Sequence, residues 1–467
     1  MFISLVFWLF VELLAVSSAQ AAKETANNII TYPIPSSVQN STAFEVKVRT
    51  PGGKWKDLAV YRPTLTEINS TTGSRSYYQS SMVYFDFNGT VEIAATWAKE
   101  RLQEVRVRPD SYGIKAQKSG RSVRFTLDRP RDVVLQINGD IFDVLHIFTN
   151  PPPVDEPSPD DPDIQVPSGK TLYIAGGSVV SVEAIEFTNV TNAAVRGHGV
   201  LTYPRSGNIF VTRSQNVVIE GLIGLNFMAR TFEATDVDIK NWRSFSSVQW
   251  GDGIDLFCSQ NILIDSVFVR SADDSVAIYN HRDEWYGDVK NITIQNSSLW
   301  ADVAHPINIG SHGNTANPET ASDITIRNVD ILDHKEKQML YQGTIALNAG
   351  DSNLLENILI EDVRVENFRL GQLLNFRVMF NEKYNTSPGR GIRNVVVQNL
   401  NYNGEGSITS LFSGYDAERT ISNVAFYNLT VNGQVITDSM RKPGWYLTTD
   451  FIPLHVNEHV HNLTFRA

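Results

Sequence analysis

Residues 251–279 read GDGIDLFCSQNILIDSVFVRSADDSVAIY, and the spacing of the aspartates in this stretch predicts the arrangement of the chain. It places Asp252 21 and 22 residues ahead of an adjacent pair, Asp273 and Asp274, with a strand-like run at residues 261–269 between them. If about twenty residues form one turn of a solenoid, the chain returns to the same face one strand spacing, about 4.8 Å, further along. The three carboxylates would then stack on one face and form an acid/base site.

The strand-like run is one copy of a repeat in the second part of the chain. Single strands that recur with Gly, Asn and Ser at the corners are typical of a parallel β-helix, in which each coil adds one strand to each sheet. A leucine-rich repeat would need regular Leu spacing or an intervening helix, and the sequence has neither. We therefore expect one β-helix domain over residues 164–467. An Asn or Asp followed by an alternating apolar strand occurs, at separations of 20 to 39 residues, at Asn192, Asn216, Asp236, Asn261, Asn291, Asp323, Asn357, Asn394, Asn423 and Asn462.

Residues 36–150 show a different pattern, in which apolar and polar residues alternate in short runs. A period of two predicts half-buried strands, and several short strands at close spacing predict an antiparallel β-sandwich. This sandwich either binds carbohydrate or packs on the next domain and covers an end of its core, and we favour the packing role. Residues 151–163 are rich in proline and acid, which predicts a semi-rigid linker between the two domains. The alternating runs are residues 43–50, 82–87, 90–97, 104–109, 122–128 and 133–138.

Composition and processing signals indicate an extracellular protein. The 467-residue chain has a net charge of −11 and a pI near 5.4, which argues against nucleic acid or an anionic membrane as partner. Residues 1–21 resemble a secretory signal peptide, whose apolar run is too short to span a membrane comfortably. Cys258 is the only cysteine, so no internal disulfide can form. Nine Asn-x-Ser/Thr sequons predict glycosylation at Asn40, Asn69, Asn88, Asn189, Asn291, Asn296, Asn385, Asn428 and Asn462.

The coils, the GDGID and ADD motifs and the later AHPINIGSHG at residues 304–313 resemble the polygalacturonase-type glycoside hydrolases. These form family 28 of the pectin-lyase-like right-handed β-helices, whose motifs read Asn-Thr-Asp-Gly, Asp-Asp and Gly-His-Gly. The resemblance covers roughly residues 164–467 and implies hydrolysis with inversion. It makes Asp273 the general acid, lets Asp252 and Asp274 hold and deprotonate the attacking water, and lets His305 tune or orient the acid.

The fold class expected from these observations is all-β, a right-handed parallel β-helix preceded by an antiparallel β-sandwich. We expect a secreted, monomeric enzyme that acts on a polysaccharide without a cofactor or metal ion, and a pectic substrate is favoured. The amino-terminal sandwich is also a feature of dextranase-type enzymes.

The chemistry of the three aspartates supports this interpretation without the family. Inverting hydrolysis needs a protonated carboxyl and a carboxylate about 6.5–9.5 Å apart, and neighbouring coils with a lateral offset can supply that separation. Close carboxylates also repel each other, which raises at least one pKa and keeps that group protonated. The structural alternative is that aspartates at coil corners only cap turns, as we expect for Asp236, Asp265 or Asp323.

The sequence departs from the family at two places. Ser275 stands where the family usually has a cysteine after the Asp-Asp pair, so the family's disulfide framework is missing. The Arg-Ile-Lys segment that grips a galacturonate carboxylate is replaced by GTIALNAGD at residues 343–351, which carries no positive charge. Lys335, Lys337 or Arg377 could replace it from neighbouring loops, or the substrate could be neutral.

Candidate substrate contacts lie in the loop at residues 281–288, HRDEWYGD. Trp285 and Tyr286, with Trp250 and Trp300 near the same rows, would offer a flat surface to a sugar ring, although aromatic residues there can equally shield the coil edge. Arg282 could reach a carboxylate, and His312 is a weaker site candidate than His305.

Other functions on this architecture stay open. A dextranase- or isopullulanase-type hydrolase of neutral α-glucans also pairs a β-sandwich with a β-helix and uses three aspartates. A polysaccharide lyase would need Arg or Lys as base, usually with calcium, and a non-enzymatic adhesin is a further option. The spacing of the aspartates and the His motif favour the polygalacturonase type, whereas the missing Arg-Lys pair favours the neutral glucan.

Overall fold

The computed structural model describes residues 28–36, 38–69, 71–153 and 165–467. Within these residues the regular structure is almost entirely β-strand, and the predicted all-β class is confirmed. The predicted signal segment, residues 1–21, and residues 154–163 of the predicted linker lie outside the described residues. No helix in the described part is long and apolar enough to cross a membrane. Short 3-10 helices occur at Asp110–Tyr112, Met339–Tyr341 and Thr448–Phe451.

The amino-terminal strands form two five-stranded sheets, in the orders β1-β6-β12-β11-β8 and β3-β2-β7-β10-β9, and a hairpin, β4–β5. Neighbouring strands are antiparallel except β6 and β12, which are parallel. The alternating runs thus form the predicted sandwich. Its strands are β1 (Ile29–Thr31), β2 (Phe44–Arg49), β3 (Lys56–Leu58), β4 (Thr64–Ile68), β5 (Arg75–Gln79), β6 (Ser81–Phe87), β7 (Val91–Trp97), β8 (Val105–Arg108), β9 (Gln117–Ser119), β10 (Ser122–Leu127), β11 (Val133–Ile137) and β12 (Leu145–Asn150).

The rest of the chain winds into a parallel β-helix. Its first half contains β13 (Thr171–Tyr173), β14 (Val179–Ser181), β15 (Ala184–Thr188), β16 (Thr191–Arg196), β17 (Val200–Thr212), β18 (Gln215–Glu220), β19 (Ile223–Phe232), β20 (Thr235–Lys240), β21 (Arg243–Phe245), β22 (Ile254–Phe257), β23 (Gln260–Asp265), β24 (Phe268–Ser271), β25 (Val276–Tyr279), β26 (His281–Arg282), β27 (Trp285–Tyr286), β28 (Val289–Gln295) and β29 (Ser298–Ala301). Its second half contains β30 (Ile307–Gly310), β31 (Thr320–His334), β32 (Ile345–Ala349), β33 (Leu354–Val365), β34 (Gly371–Gln372), β35 (Leu374–Val378), β36 (Gly391–Gln398), β37 (Asn401–Tyr402), β38 (Ser407–Ile408), β39 (Ser410–Ser413), β40 (Ile421–Tyr427), β41 (Leu429–Val431), β42 (Gln434–Ile436), β43 (Leu454–Val456) and β44 (Val460–Arg466).

These strands stack in three columns. In one coil, β23, β24 and β25 belong to the first, second and third columns, and in the next coil β28, β29 and β30 pair with them in parallel. The register places Ile262 beside Ile292 and Val276 beside Ile307, so equivalent apolar residues stack along the axis. All four side chains are buried in one continuous core, which no single coil could form by itself.

The repeated Asn or Asp lies near the start of each first-column strand, in a left-handed conformation. All ten of the residues on which the repeat was recognised have φ between 54° and 59°. Asn tolerates this conformation better than most residues, and here its side chain also bonds along the stack. Asn291 Nδ2 donates to Asn261 Oδ1 and Asn261 Nδ2 donates to Asp236 Oδ1, each at 2.9 Å. Asp236 accepts but cannot donate, so this asparagine ladder ends there.

The sandwich packs along a side of the β-helix rather than over an end of its core. In β6, Val83 and Phe85 point into the sandwich core, while Met82 and Tyr84 contact the β-helix. Every residue of β6, β11 and β12 is therefore buried, and the prediction of half-buried strands is wrong for the runs at residues 82–87 and 133–138. A sheet covered on both faces does not need a polar side. The second column of the β-helix supplies the contact through Val200, Ile223, Phe245, Phe268, Trp300 and Leu332.

Buried arginines of the β-helix stabilise its interface with the sandwich. Arg270 is fully buried, pairs with Asp302 of the β-helix at 2.8 Å and donates to the Ile141 carbonyl oxygen of the sandwich, also at 2.8 Å. Arg243 of the β-helix pairs with Asp132 of the sandwich, also at 2.8 Å. Removing one partner of such a buried pair typically costs about 3–5 kcal/mol, because the other charge is left unpaired. The two domains are therefore held in a fixed arrangement.

Candidate active site

Three consecutive strands of the third column position the predicted catalytic residues. Asp252 precedes β22, the pair Asp273 and Asp274 precedes β25, and His305 precedes β30. Because these strands pair in register, the four residues lie at the same edge of successive coils. One oxygen from each aspartate lies within 4.8 Å of the others. The structure thus brings the three predicted aspartates together.

The glycine of GDGID is required by the approach of two coils. A Cβ at Gly253 would lie 2.2 Å from Val269 Cγ1 and 2.6 Å from the Ser275 carbonyl oxygen. Its backbone N–H donates to the Asp274 carbonyl oxygen at 3.0 Å. Only glycine fits between these neighbours, and its absent side chain lets Asp252 and Asp274 sit on directly adjacent coils.

Asp274 is held as an ionised carboxylate by a full set of donors. Its Oδ1 contacts His305 Nδ1 at 2.6 Å and accepts from the His305 backbone N–H at 3.1 Å. Its Oδ2 accepts from the Tyr279 hydroxyl and from Asn308 Nδ2, both at 2.9 Å. Burial alone would raise the pKa of Asp274, but His305 and these hydrogen bonds outweigh burial and lower the pKa below its usual value.

His305 faces acceptors on both ring nitrogens. Nδ1 meets the Asp274 carboxylate, and Nε2 lies 2.9 Å from the Tyr341 carbonyl oxygen, which can only accept. Burial lowers the pKa of His305, but the Asp274 charge and hydrogen bond exceed this effect, and the pKa is raised. His305 is therefore an imidazolium paired with Asp274. The resemblance implied that it acts on the acid, Asp273, whereas its hydrogen bond goes to Asp274.

The pKa values of Asp273 and Asp252 are shifted in the opposite direction from that of Asp274. Burial, followed by the negative charge of Asp274, raises the pKa of Asp273 well above its usual value. Burial, Asp255 and Asp273 raise the pKa of Asp252 in the same direction. Asp252 has a counter-charge, because Arg230 lies 3.7 Å from it, whereas no described cation pairs with Asp273. A cation favours the ionised form of the carboxyl beside it, so Asp252 is the better placed of the two to ionise.

Asp255 and Arg230 belong to the site but were not predicted from the sequence. Asp255 is 1% exposed, lies 2.8 Å from Arg230 Nε and borders the same cleft as Asp252. Burial, only partly offset by Arg230, raises the pKa of Asp255 to about 6. Its place three residues after Asp252 was visible in GDGID. The contact with Arg230 was not, because that arginine lies on the preceding coil.

The site opens into a cleft of about 540 Å³ between the β-helix and the hairpin β4–β5. Trp250, Arg282 and His312 line it, as expected for substrate contacts. Trp250 is 62% exposed and offers an apolar face to the cleft. His312 packs edge-on against Tyr279, with ring centroids 5.0 Å apart.

Trp285 and Tyr286 do not line this cleft, contrary to the prediction. Trp285 packs against Phe232, and the Arg213 guanidinium lies 4.6 Å from its ring centroid. Tyr286 stacks on His281 at 4.1 Å. These aromatic residues shield the edge of the coil, which was the alternative to a sugar-binding role for this loop. Trp300 is also absent from the cleft, because it is buried beneath the sandwich.

Basic side chains enter the cleft from several loops. The strand position of the missing Arg-Lys pair is neutral and buried, with Ala346 and Asn348 in β32. Lys335 and Lys337 line the cleft as expected, whereas Arg377 donates to the Leu340 carbonyl and does not line it. The complete set is six basic residues, Arg75, Arg230, Arg282, Lys335, Lys337 and Lys383, against five acidic residues, Asp252, Asp255, Asp273, Asp274 and Glu336.

The asparagine side chains of the nine sequons differ in their exposure and in the hydrogen bonds of their Nδ2 atoms. Asn385 is 6% exposed and donates its amide to the Ser311 carbonyl, so it is not accessible in the folded protein. Four others donate Nδ2 to a residue of the preceding coil, namely Asn291, Asn296, Asn428 and Asn462. The remaining four have no Nδ2 hydrogen bond to a described residue, namely Asn40, Asn69, Asn88 and Asn189.

The β-helix carries the family signature that its aspartates suggest. Residues 183–367, which contain all of the candidate catalytic residues, match the model of the Glycosyl hydrolases family 28. The β-helix is similar to this family over that segment, which is less than half of the chain. This similarity supports a glycosidase, with a polysaccharide as the class of substrate.

Solved structures extend the likeness to the whole architecture around the family 28 domain. Dex49A from Penicillium minioluteum is 12% identical and superposes with a TM-score of 0.62 over 94% of this chain and 96% of that chain. At this identity the likeness shows the fold alone, over both sandwich and β-helix. A family 28 exopolygalacturonase from Yersinia enterocolitica is 12% identical over 86% of this chain and 98% of its own, with a TM-score of 0.45, too low to support an inference. No curated protein matches the sequence.

Proposed function

We propose that the protein is a secreted, polygalacturonase-like hydrolase that cleaves a pectic polysaccharide by inverting acid/base hydrolysis. One observation carries the proposal. Asp252, Asp273 and Asp274 meet in a cleft that six basic side chains also enter. A carboxyl cluster suits glycosidic hydrolysis, and the surrounding cations suit an acidic sugar chain.

Asp273 is the general acid in this proposal. Its proton passes to the glycosidic oxygen as the bond from that oxygen to the anomeric carbon breaks. Burial and the Asp274 charge raise the pKa of Asp273 well above its usual value, which favours the protonated form that a general acid requires. The role of Asp274 is then to remain ionised beside Asp273, which its pairing with His305 supports.

Asp252 is the base that takes a proton from the attacking water. A carboxylate has about four lone-pair sites, and Asp274 already accepts four hydrogen bonds from His305, Tyr279 and Asn308. Asp274 therefore has no site left for water, and the shared role that the resemblance implied falls on Asp252. Arg230, 3.7 Å away, favours the ionised form of Asp252 that a base requires.

The stereochemical outcome rests on the family resemblance. The aspartate oxygens lie within 4.8 Å of one another, which is closer than the separation of about 6.5–9.5 Å expected for an inverting pair. Proton NMR of the first-formed product gives a direct test. We expect the anomer opposite to that of the substrate, and retention would contradict inversion and assign Asp252 as a nucleophile.

A neutral α-glucan is the second candidate substrate, because the strand position of the family's Arg-Lys pair is neutral and Trp250 is exposed in the cleft. A reducing-sugar screen across polygalacturonate, pectin, rhamnogalacturonan and dextran separates the two. We expect cleavage of polygalacturonate with clear inhibition by salt, since exposed charge pairs are screened over about 8–10 Å. Cleavage of dextran alone would overturn the pectic assignment, and an ultraviolet-absorbing unsaturated product would assign a lyase.

We also propose that the enzyme is a monomeric, extracellular glycoprotein. The predicted signal segment and the sequons support this. The four sequons with unbonded amides, Asn40, Asn69, Asn88 and Asn189, are the expected glycan sites. Mass spectrometry of the protein from a glycosylating host, before and after enzymatic glycan removal, tests the assignment, and a glycan on Asn385 of the folded enzyme would contradict it.

A further inference from the structure

The hairpin β4–β5 of the sandwich forms one wall of the catalytic cleft. Ile68 at the end of β4 pairs with Arg75 at the start of β5, and both line the cleft together with the catalytic aspartates. Gly73 in the connecting turn also lines it. The amino-terminal domain therefore contributes directly to the surface that a substrate would contact.

The base of this hairpin is fixed to the β-helix. Leu65 is fully buried between the domains, and the Thr66 hydroxyl donates to the Ser247 carbonyl at 2.5 Å. Glu67 pairs with Lys335 and, at 2.7 Å, with Arg369. A buried anchor with two ion pairs holds the hairpin in one position, so its tip is preorganised at the cleft.

Hydrogen bonds join the described residues at the tip of the hairpin. Asn69 Oδ1 accepts from the backbone N–H groups of Thr71 and Thr72, each at 2.9 Å. The Gly73 N–H donates to the Asn69 carbonyl at 2.8 Å, and the Asn69 N–H donates to the Ser74 carbonyl at 2.9 Å. These bonds lie next to the Ile68–Arg75 pair, which lines the cleft.

The basic residues of the cleft are not equally available to a ligand. Arg230 forms an ion pair with Asp255, and Lys335 forms an ion pair with Glu67. Arg75, Lys337 and Lys383 make no ion pair with a described carboxylate, and Arg75 is the one of these three that the sandwich supplies. A guanidinium presents paired donors that match a carboxylate, which an ammonium does not.

We propose that Arg75 is a specificity-determining residue that binds a carboxylate of an acidic sugar in the cleft, in place of the basic pair absent from β32. This inference rests on the proposed pectic substrate. It also gives the sandwich a function, because the hairpin would complete a subsite that the β-helix alone lacks.

The test is the binding of a galacturonate oligosaccharide, measured by isothermal titration calorimetry in an Asp273→Asn background so that no hydrolysis occurs. We expect Arg75→Gln to weaken binding roughly tenfold, as for the loss of one charge-assisted hydrogen bond, and Arg75→Glu to weaken it further. Binding to the Arg75→Gln protein should also respond less to salt. Arg101→Gln and Arg101→Glu are matched controls, since Arg101 is exposed on the sandwich and does not line the cleft.

Equal binding by the Arg75 and Arg101 variants would overturn the inference, as would no binding of the oligosaccharide to any variant. Hydrolysis by the enzyme with Asp273 intact is measured separately. If it fails on polygalacturonate while Arg75→Gln still weakens oligosaccharide binding, the proposed function is wrong and the role of Arg75 stands.

Discussion

Asp255 should make the free energy of unfolding fall as the pH rises. Its pKa is raised from the ordinary 3.8 to about 6 by burial, which Arg230 only partly offsets. One pKa unit corresponds to about 1.36 kcal/mol, so ionising Asp255 in the folded state costs about 3 kcal/mol more than in the unfolded state. Between these pKa values the native state binds more protons than the unfolded state. Stability therefore falls as pH rises from about 4 to about 6.

The assay is chemical unfolding of the wild-type protein and of Asp255→Asn at pH 4 and at pH 7. Neighbouring carboxyls with raised pKa values, Asp252 and Asp273, contribute to the pH dependence of both proteins, so the difference between the two reports Asp255 together with its effect on these neighbours. We expect wild type to lose up to about 3 kcal/mol more stability than Asp255→Asn over this range. Asp57→Asn is the control, because Asp57 is 83% exposed. Parallel pH profiles for wild type and Asp255→Asn would refute the reasoning.

Three further outcomes follow from the structure. Asn261→Ala removes two hydrogen bonds of the asparagine ladder and places alanine at φ 55°, so it should destabilise the protein by about 2–4 kcal/mol. Denaturant titration measures this change, and an unchanged unfolding midpoint would contradict a stabilising role of the ladder. Trp250→Ala should raise KM several-fold because Trp250 lines the cleft, whereas Trp285→Ala should leave KM unchanged in steady-state kinetics, and the reverse order would restore Trp285 as a sugar platform. Activity should survive EDTA and dithiothreitol, since the proposed chemistry uses carboxyl groups and Cys258 has no partner; loss on chelation that calcium restores would indicate a lyase.

The catalytic aspartates could be predicted from sequence because a solenoid converts sequence spacing into spatial proximity. Asp252, Asp273 and His305 each precede a strand of the same column, so their separation along the chain was enough to place them together. The repeated Asn and Asp were informative for a related reason. Their left-handed conformation restricts the residue type, and that restriction leaves a visible pattern.

Contacts between the two domains left no such pattern. Arg75 lies far from the aspartates in sequence and reaches the cleft only because the sandwich packs along a side of the β-helix. The same packing buries both faces of β6, β11 and β12, so alternation could not reveal that their second face is covered. Trp285 was misplaced because nothing in its loop encodes the neighbours, Phe232 and Arg213, that hold it against the coil edge.

Hydrolysis of polygalacturonate by Asp273→Asn tests most directly whether Asp273 is the general acid. The wild-type enzyme should release reducing ends, and the variant should be slower by about 10²–10⁴ because it cannot protonate the leaving oxygen. Circular dichroism and the unfolding midpoint of the variant should show an intact fold. Turnover by folded Asp273→Asn at the wild-type rate would contradict the assignment of Asp273 as the general acid.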